Sequence, residues 1–268
     1  MRPSGRDAHY SVLLEKFVRL SEEKQFLFHR IEALLPDRRD RYLDVGPGDG
    51  KLMGLLAPFF GHSTAIEVNG AFEPLLRRCA DEVISQRIED AAIPGTFTFI
   101  LACHVLGYVA PAERAALVRR LLRHLDADGV LVVVFNSVNS EVFRILERLA
   151  PYGGRCWAAP VRLGSPEELL AGAPGCVAVK RDSLQVTTTT DSEAEDIVEF
   201  MAFGDTPLSV EGREVLRGLV ASYHAEDGLW HIDIEHEFVV MAHSSDVILT
   251  RRLPYDSVRI AAPGKEAG

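Results

Sequence analysis

Arg41-Tyr42-Leu43-Asp44-Val45-Gly46-Pro47-Gly48-Asp49-Gly50 is a short apolar run that ends in three glycines at alternate positions. Arg41–Val45 reads as a strand, and Lys51–Phe60 behind the glycines reads as a helix. Glycine lets a backbone bend sharply and approach a ligand with no Cβ in the way. The N–H groups that open the helix would face a carboxylate or a phosphate. A glycine turn between strand and helix is common, so the neighbouring segments must decide what it holds.

Those segments alternate between strand and helix. Ser63–Val68 reads as a second strand, Phe72–Cys79 as a helix, Glu82–Ile84 as a weak third strand and Thr96–Cys103 as a fourth. Ala112–Leu125 has strong helical periodicity, and Gly129–Phe135 is a strand apolar on both faces. Strands of that kind between helices form a mostly parallel sheet covered on both sides, in an α/β, Rossmann-like, doubly wound arrangement. Before the sheet, Tyr10–Leu35 is helical, with a fresh helix start after Ser21. After it, residues 140–150, Glu193–Met201 and Val210–Tyr223 are helical, 151–175 is loop-rich, and Cys176–Thr188 holds one or two strands. Trp230–Met241 alternates apolar and polar residues, as a half-exposed antiparallel strand at the end of a sheet does. A single domain over 8–253 is expected, with a helical lid at 8–36, a ligand-binding core at 37–137, a cap at 151–225 and a tail at 254–268.

Spacing narrows the ligand. A dinucleotide-binding G-x-G-x-x-G would need glycine at position 51, which is Lys51. Asp44 followed by Gly46-x-Gly48-x-Gly50 resembles instead the first motif of the class I S-adenosylmethionine-dependent methyltransferases. Glu67 ends the second strand about twenty residues after the loop, where an acid can accept both ribose hydroxyls. The resemblance implies that Asp44, Gly46, Pro47, Gly48, Glu67, Val68, Glu89, Cys103 and His104 surround S-adenosylmethionine and its product, S-adenosylhomocysteine. Glu89 belongs to Ile88-Glu89-Asp90 after the third strand, where the family often contacts adenine; an exposed acidic turn is the alternative.

Across Tyr10–His243 the layout is similar to the histamine N-methyltransferase type of small-molecule methyltransferase. The N-terminal helices carry Tyr10-(x)6-Phe17-(x)3-Ser21-x-Glu23-x-Gln25, and the final alternating strand follows the cap. This likeness implies that Glu23 holds an acceptor amine, that Tyr10 lines the entrance, and that His104 and Tyr108 face the reacting centre as catalytic and substrate-binding groups. Gly107 stands where the family member has a second aromatic, and His104 replaces a neutral amide. The glycine implies a wider pocket and a bulkier acceptor than histamine, and the histidine adds a group that can take up a proton. Glu23 has a local role open to it as well, since a carboxylate in the first turn of a helix is stabilised by the helix dipole. Two other outcomes stay open: carbon or oxygen methylation of an aromatic, indole-type acceptor, and a non-catalytic protein that binds S-adenosylmethionine.

Composition bounds the remaining classes. The 268 residues carry 29 Lys plus Arg against 39 Asp plus Glu, a net charge of −10, which disfavours nucleic acid as a partner. No apolar run reaches the length of a bilayer span, and the first thirty residues lack the apolar stretch of a signal peptide, so a cytoplasmic protein away from membranes is expected. The four cysteines form no C-x-x-C pair, no H-E-x-x-H occurs, and His231 and His236 fall on opposite faces of one strand. No metal is therefore expected. No G-x-S-x-G elbow suggests a hydrolase.

Overall fold

The computed structural model describes residues 5–149, 151–152, 175–202, 208–249 and 255–260. The alternation appears as β1 (Arg41–Val45), α3 (Lys51–Leu56), β2 (His62–Ile66), α4 (Glu73–Leu76), β3 (Glu82–Ile84), β4 (Phe97–Cys103), α5 (Pro111–Arg123) and β5 (Leu125–Asn136). Two helices, α1 (Gly5–Ser21) and α2 (Glu23–Glu32), precede this run. After it come α6 (Glu141–Leu149), β6 (Cys176–Thr188), α7 (Asp191–Met201), α8 (Val210–Ser222), β7 (Trp230–Ala242), α9 (Ser245–Leu249) and β8 (Ser257–Ile260). Of the cap at 151–225, residues 153–174 and 203–207 lie outside the described residues. Within the expected tail, Ser257–Ile260 pairs antiparallel with Cys176–Val179.

Among the described residues eight strands form one sheet in the order β3-β2-β1-β4-β5-β7-β6-β8. The pairs β1 with β2, β1 with β4, β2 with β3 and β4 with β5 are parallel. Moving from β1 to β2 and from β1 to β4 reverses the direction of winding, so the carboxyl end of β1 is the switch point where ligands bind in such sheets. The glycine loop lies there.

Local chemistry sets the element ends. The helix expected over Lys51–Phe60 stops at Leu56 and tightens into a 3-10 turn at Ala57–Phe59, because Pro58 has no N–H to continue the α pattern. The fifth strand begins at Leu125, earlier than its apolar run suggests, and its register against β4 shifts between Phe97 and Phe99. A Cβ at Gly129 would lie 2.9 Å from Leu125 Cδ1 and 3.0 Å from the Phe97 carbonyl oxygen, so this irregularity needs glycine. The break between α1 and α2 falls at Glu22, whose φ of 51° is left-handed, and the Glu23 N–H donates to Ser21 Oγ at 3.3 Å.

Two compact units make up the chain. One comprises Leu27–Phe135, Leu163–Arg181 and Glu237–Gly268, and holds β1 to β5 with the ends of β6 and β7. Its core joins Leu43, Ile100, Leu131 and Val133 of the sheet to Leu117, Val118 and Leu121 of α5. The other comprises Met1–Phe26, Asn136–Arg162 and Asp182–His236. Its core gathers Phe17, Ile145, Ile197, Leu216 and Ile234, with Phe17 stacked on Phe200 at 4.4 Å. Among the described residues no helix is long and apolar enough to cross a membrane.

In this second unit the Tyr223 hydroxyl donates to Glu141 Oε2 at 2.9 Å. Burial, together with the Glu141 carboxylate and against an opposing hydrogen bond with Arg144, pushes the phenol up to about 12. Because the folded value exceeds the ordinary one near ~10, the stabilisation is full below pH ~10 and disappears as pH rises towards ~12. Urea titrations on either side of that window should show a fall on the order of 2 kcal/mol. Tyr223→Phe should flatten that fall; an unchanged pH slope in the variant would place the effect elsewhere.

Candidate active site

The loop after β1 is shaped by close packing. Gly46 has φ +70°, its N–H donates to the Ile66 carbonyl at 2.8 Å, and a Cβ there would sit 2.6 Å from Val105 Cγ2. Gly50, at φ +74°, is equally enclosed, with Leu76 Cδ2 2.9 Å from the place of a Cβ. Gly48 differs: its φ is +59°, yet a Cβ would meet nothing within 4 Å. The outer glycines are therefore required by the protein's own packing, whereas the middle one faces open space.

Two acids line this bend. Asp44 is buried and accepts the Tyr42 hydroxyl at 2.5 Å. Burial, then the Asp44 charge, raise the Tyr42 phenol well above its ordinary range. Glu67 accepts the Gly48 N–H at 3.0 Å with one oxygen and the Asn69 N–H at 2.8 Å with the other. It thereby ties the glycine loop to the end of β2. A carboxylate has about four lone-pair positions. Two are used by these amides, which leaves acceptor capacity for a vicinal diol. Val68, the next residue, is 65% exposed, an apolar surface beside that carboxylate.

Glu89 follows β3 in a turn held from α5. Arg120 Nη1 donates to the Ile88 carbonyl at 2.6 Å and to that of Glu89 at 2.9 Å, while Nη2 reaches the Ala91 carbonyl. Partial burial raises the Glu89 carboxyl, but hydrogen bonds from Arg87 and the charges of Arg87 and Arg120 outweigh it and hold the group below its usual range.

The end of β4 is equally specified. Cys103 is half-buried, and His104 takes φ +55° with its N–H on the Val134 carbonyl at 2.8 Å. A non-glycine residue in that region costs on the order of 1–3 kcal/mol and persists only where its surroundings impose it. Leu106–Tyr108 forms a 3-10 turn on which Tyr108 is exposed. A Cβ at Gly107 would meet nothing, and its φ is not left-handed, so the backbone does not demand glycine there. Arg114 of α5, only 3% exposed, donates through Nε to the Leu106 and Val109 carbonyls at 3.0 Å each and so pins the turn. Burial lowers its guanidinium from the ordinary value.

Glu23 belongs to the other unit. Its side chain is 7% exposed, with Lys24 Nζ 3.1 Å from Oε2 and His236 Nε2 3.9 Å from Oε1. His236 is fully buried, its ring 5.4 Å from that of Phe26. Tyr10 falls within α1, and its side chain lies outside the described residues.

Sequence reading did not single out Arg114, Arg120 or His236 as contributors. Two traces were available. Arg114 shares the apolar stripe of Leu117, Val118 and Leu121, and His236 continues the stripe of Ile232 and Ile234. A polar residue in such a stripe points to a specific partner.

Solved structures share this fold. A candidate methyltransferase from Bacillus halodurans C-125 has a TM-score of 0.58 at 16% identity, over 80% of this chain and 97% of that one. The YcgJ protein from Bacillus subtilis gives 0.54 at 13% identity, over 82% and 98%. A functionally unknown protein from Deinococcus radiodurans R1 gives 0.52 at 17%, over 81% and 86%. No curated protein matches the sequence. The model of the methyltransferase domain family matches residues 19–160, more than half of the chain. With the glycine loop, the acid after β2 and the sheet that presents them, the chain belongs to the methyltransferase domain family as a class I enzyme dependent on S-adenosylmethionine.

Proposed function

We propose that this methyltransferase acts on the amine nitrogen of a small molecule, in a layout like that of histamine N-methyltransferase. The observation that carries the reading is the burial of Glu23. A carboxylate that served only the helix dipole would gain as much at the surface, whereas burying a charge is costly unless it is paired. A cationic amine is a suitable partner for it. Lys24 lies at one of its oxygens and His236 Nε2 lies 3.9 Å from the other, and an acceptor ammonium would join this charged cluster as a further partner.

Bound S-adenosylmethionine supplies an electrophilic methyl group on a sulfonium. The rest falls to the chain. Glu67 accepts the ribose hydroxyls, Val68 packs beside the sugar and base, and Asp44, Gly46, Pro47 and Gly48 shape the loop around the amino-acid end. Cys103 and His104 close the cofactor site at the end of β4. An ammonium must lose a proton before its nitrogen can attack, and the His104 imidazole can accept it. The Tyr108 ring face can stabilise the methylated cation. Alignment for in-line displacement supplies most of the acceleration, up to ~7–11 kcal/mol.

Glu23→Gln, assayed with S-adenosylmethionine and a panel of amines and neutral heteroaromatics, tests this reading. A charged hydrogen bond of ~1.5–3 kcal/mol predicts roughly 10- to 150-fold poorer use of amines, with little change for neutral acceptors. Equal losses in both classes would contradict it. A second reading, methylation at carbon or oxygen of an aromatic ring, is favoured by Gly107, where the structure leaves space that an aromatic side chain could have filled.

A further inference from the structure

We infer that Arg120 is a positioning residue for the adenine end of the cofactor, acting through the turn at Ile88–Ala91. The inference rests on the methyltransferase reading and on the adenine contact that this resemblance implies for the turn.

The turn has a built-in weakness. Its Asp90 and Ala91 N–H groups both donate to the Arg87 carbonyl, so it is a single helical turn with no second turn to use the carbonyls that follow. One guanidinium gathers three of them, those of Ile88, Glu89 and Ala91. The planar fork of arginine suits this task, because its donors diverge at fixed angles towards several acceptors, which a lysine ammonium does not reproduce. The anchor is rigid. Arg120 belongs to the thirteen-residue α5, whose Leu117, Val118, Leu121 and Leu122 are buried against the sheet. The Ile88 and Ala91 side chains are buried in the same core, which leaves Glu89 and Asp90 as the turn's outward part. Losing the fork frees the backbone that carries them, and the hydrogen bonds that Arg120 donates among the described residues go to this turn, to the Ile88, Glu89 and Ala91 carbonyls.

A pair of ligands separates this role from general loosening. S-adenosylhomocysteine and S-ribosylhomocysteine differ only in the adenine. Titration calorimetry of Arg120→Met should show the first weakened about tenfold and the second unchanged, with Arg120→Lys in between. Equal weakening of both ligands, or of neither, overturns the inference. Glu89→Ala, titrated in the same way, identifies which premise fails. If it shifts the ratio of the two affinities while Arg120→Met does not, the turn contacts adenine and Arg120 is no positioning residue. If neither variant shifts the ratio, the adenine assignment falls and the inference with it.

Discussion

Glu67→Ala should abolish measurable cofactor binding, raising the dissociation constant for S-adenosylhomocysteine by about 10³-fold or more. Two losses combine. In the reading given above the ribose hydroxyls lose a charged acceptor, and each such hydrogen bond contributes about 1.5–3 kcal/mol. The loop also loses its brace, because the same carboxylate accepts the Gly48 and Asn69 amides. Glu67→Gln keeps one oxygen acceptor in place of two and should fall between wild type and alanine. Calorimetry with S-adenosylhomocysteine reads the affinities, and amide hydrogen exchange reads the brace. Protection at Gly48 and Asn69 should drop in the alanine variant even without ligand. Undiminished affinity in Glu67→Ala would remove the ribose assignment, whatever happened to the exchange rates.

Gly46→Ala should be the most damaging small substitution in the loop, costing about 2–5 kcal/mol of stability. Left-handed backbone costs a β-carbon roughly 1–2 kcal/mol, and overpacking a tight site adds about 1–3 kcal/mol. Here the added carbon would lie 2.6 Å from Val105 Cγ2, on the turn that follows β4. Gly48→Ala meets no neighbour, so only the backbone term applies, at about 1–2 kcal/mol. The two variants thus separate packing from ligand access: the first lowers the melting temperature sharply, while the second loses affinity with little loss of fold. Val105→Ala in the Gly46→Ala background should recover part of the stability. If Gly46→Ala and Gly48→Ala melted alike, the packing account of this loop would be wrong.

Which parts of the molecule could be read from the chain follows the range of the interactions involved. Val45-Gly46-Pro47-Gly48 and Glu67 were legible because strand, bend and acid are set by local periodicity and a fixed spacing. The strand-helix alternation from Arg41 to Phe135 was legible for the same reason. The early start of β5 was hidden by Asp126-Ala127-Asp128, a polar stretch that a bulge accommodates at Gly129. Arg120 is joined to Ile88 across 32 positions and Glu23 to His236 across more than two hundred, and no local pattern encodes such pairs. Glu23 shows the consequence. Its place in the first turn of α2 suggested a solvated dipole partner as readily as a ligand, and only tertiary packing reveals that its carboxylate is buried.

Titration calorimetry of the intact wild-type protein with S-adenosylhomocysteine addresses the central claim most directly. The account predicts one molecule bound per chain with a dissociation constant of about micromolar order, within the ~1 μM–1 mM range usual for enzyme ligands. Absence of binding at millimolar ligand by folded protein would contradict it.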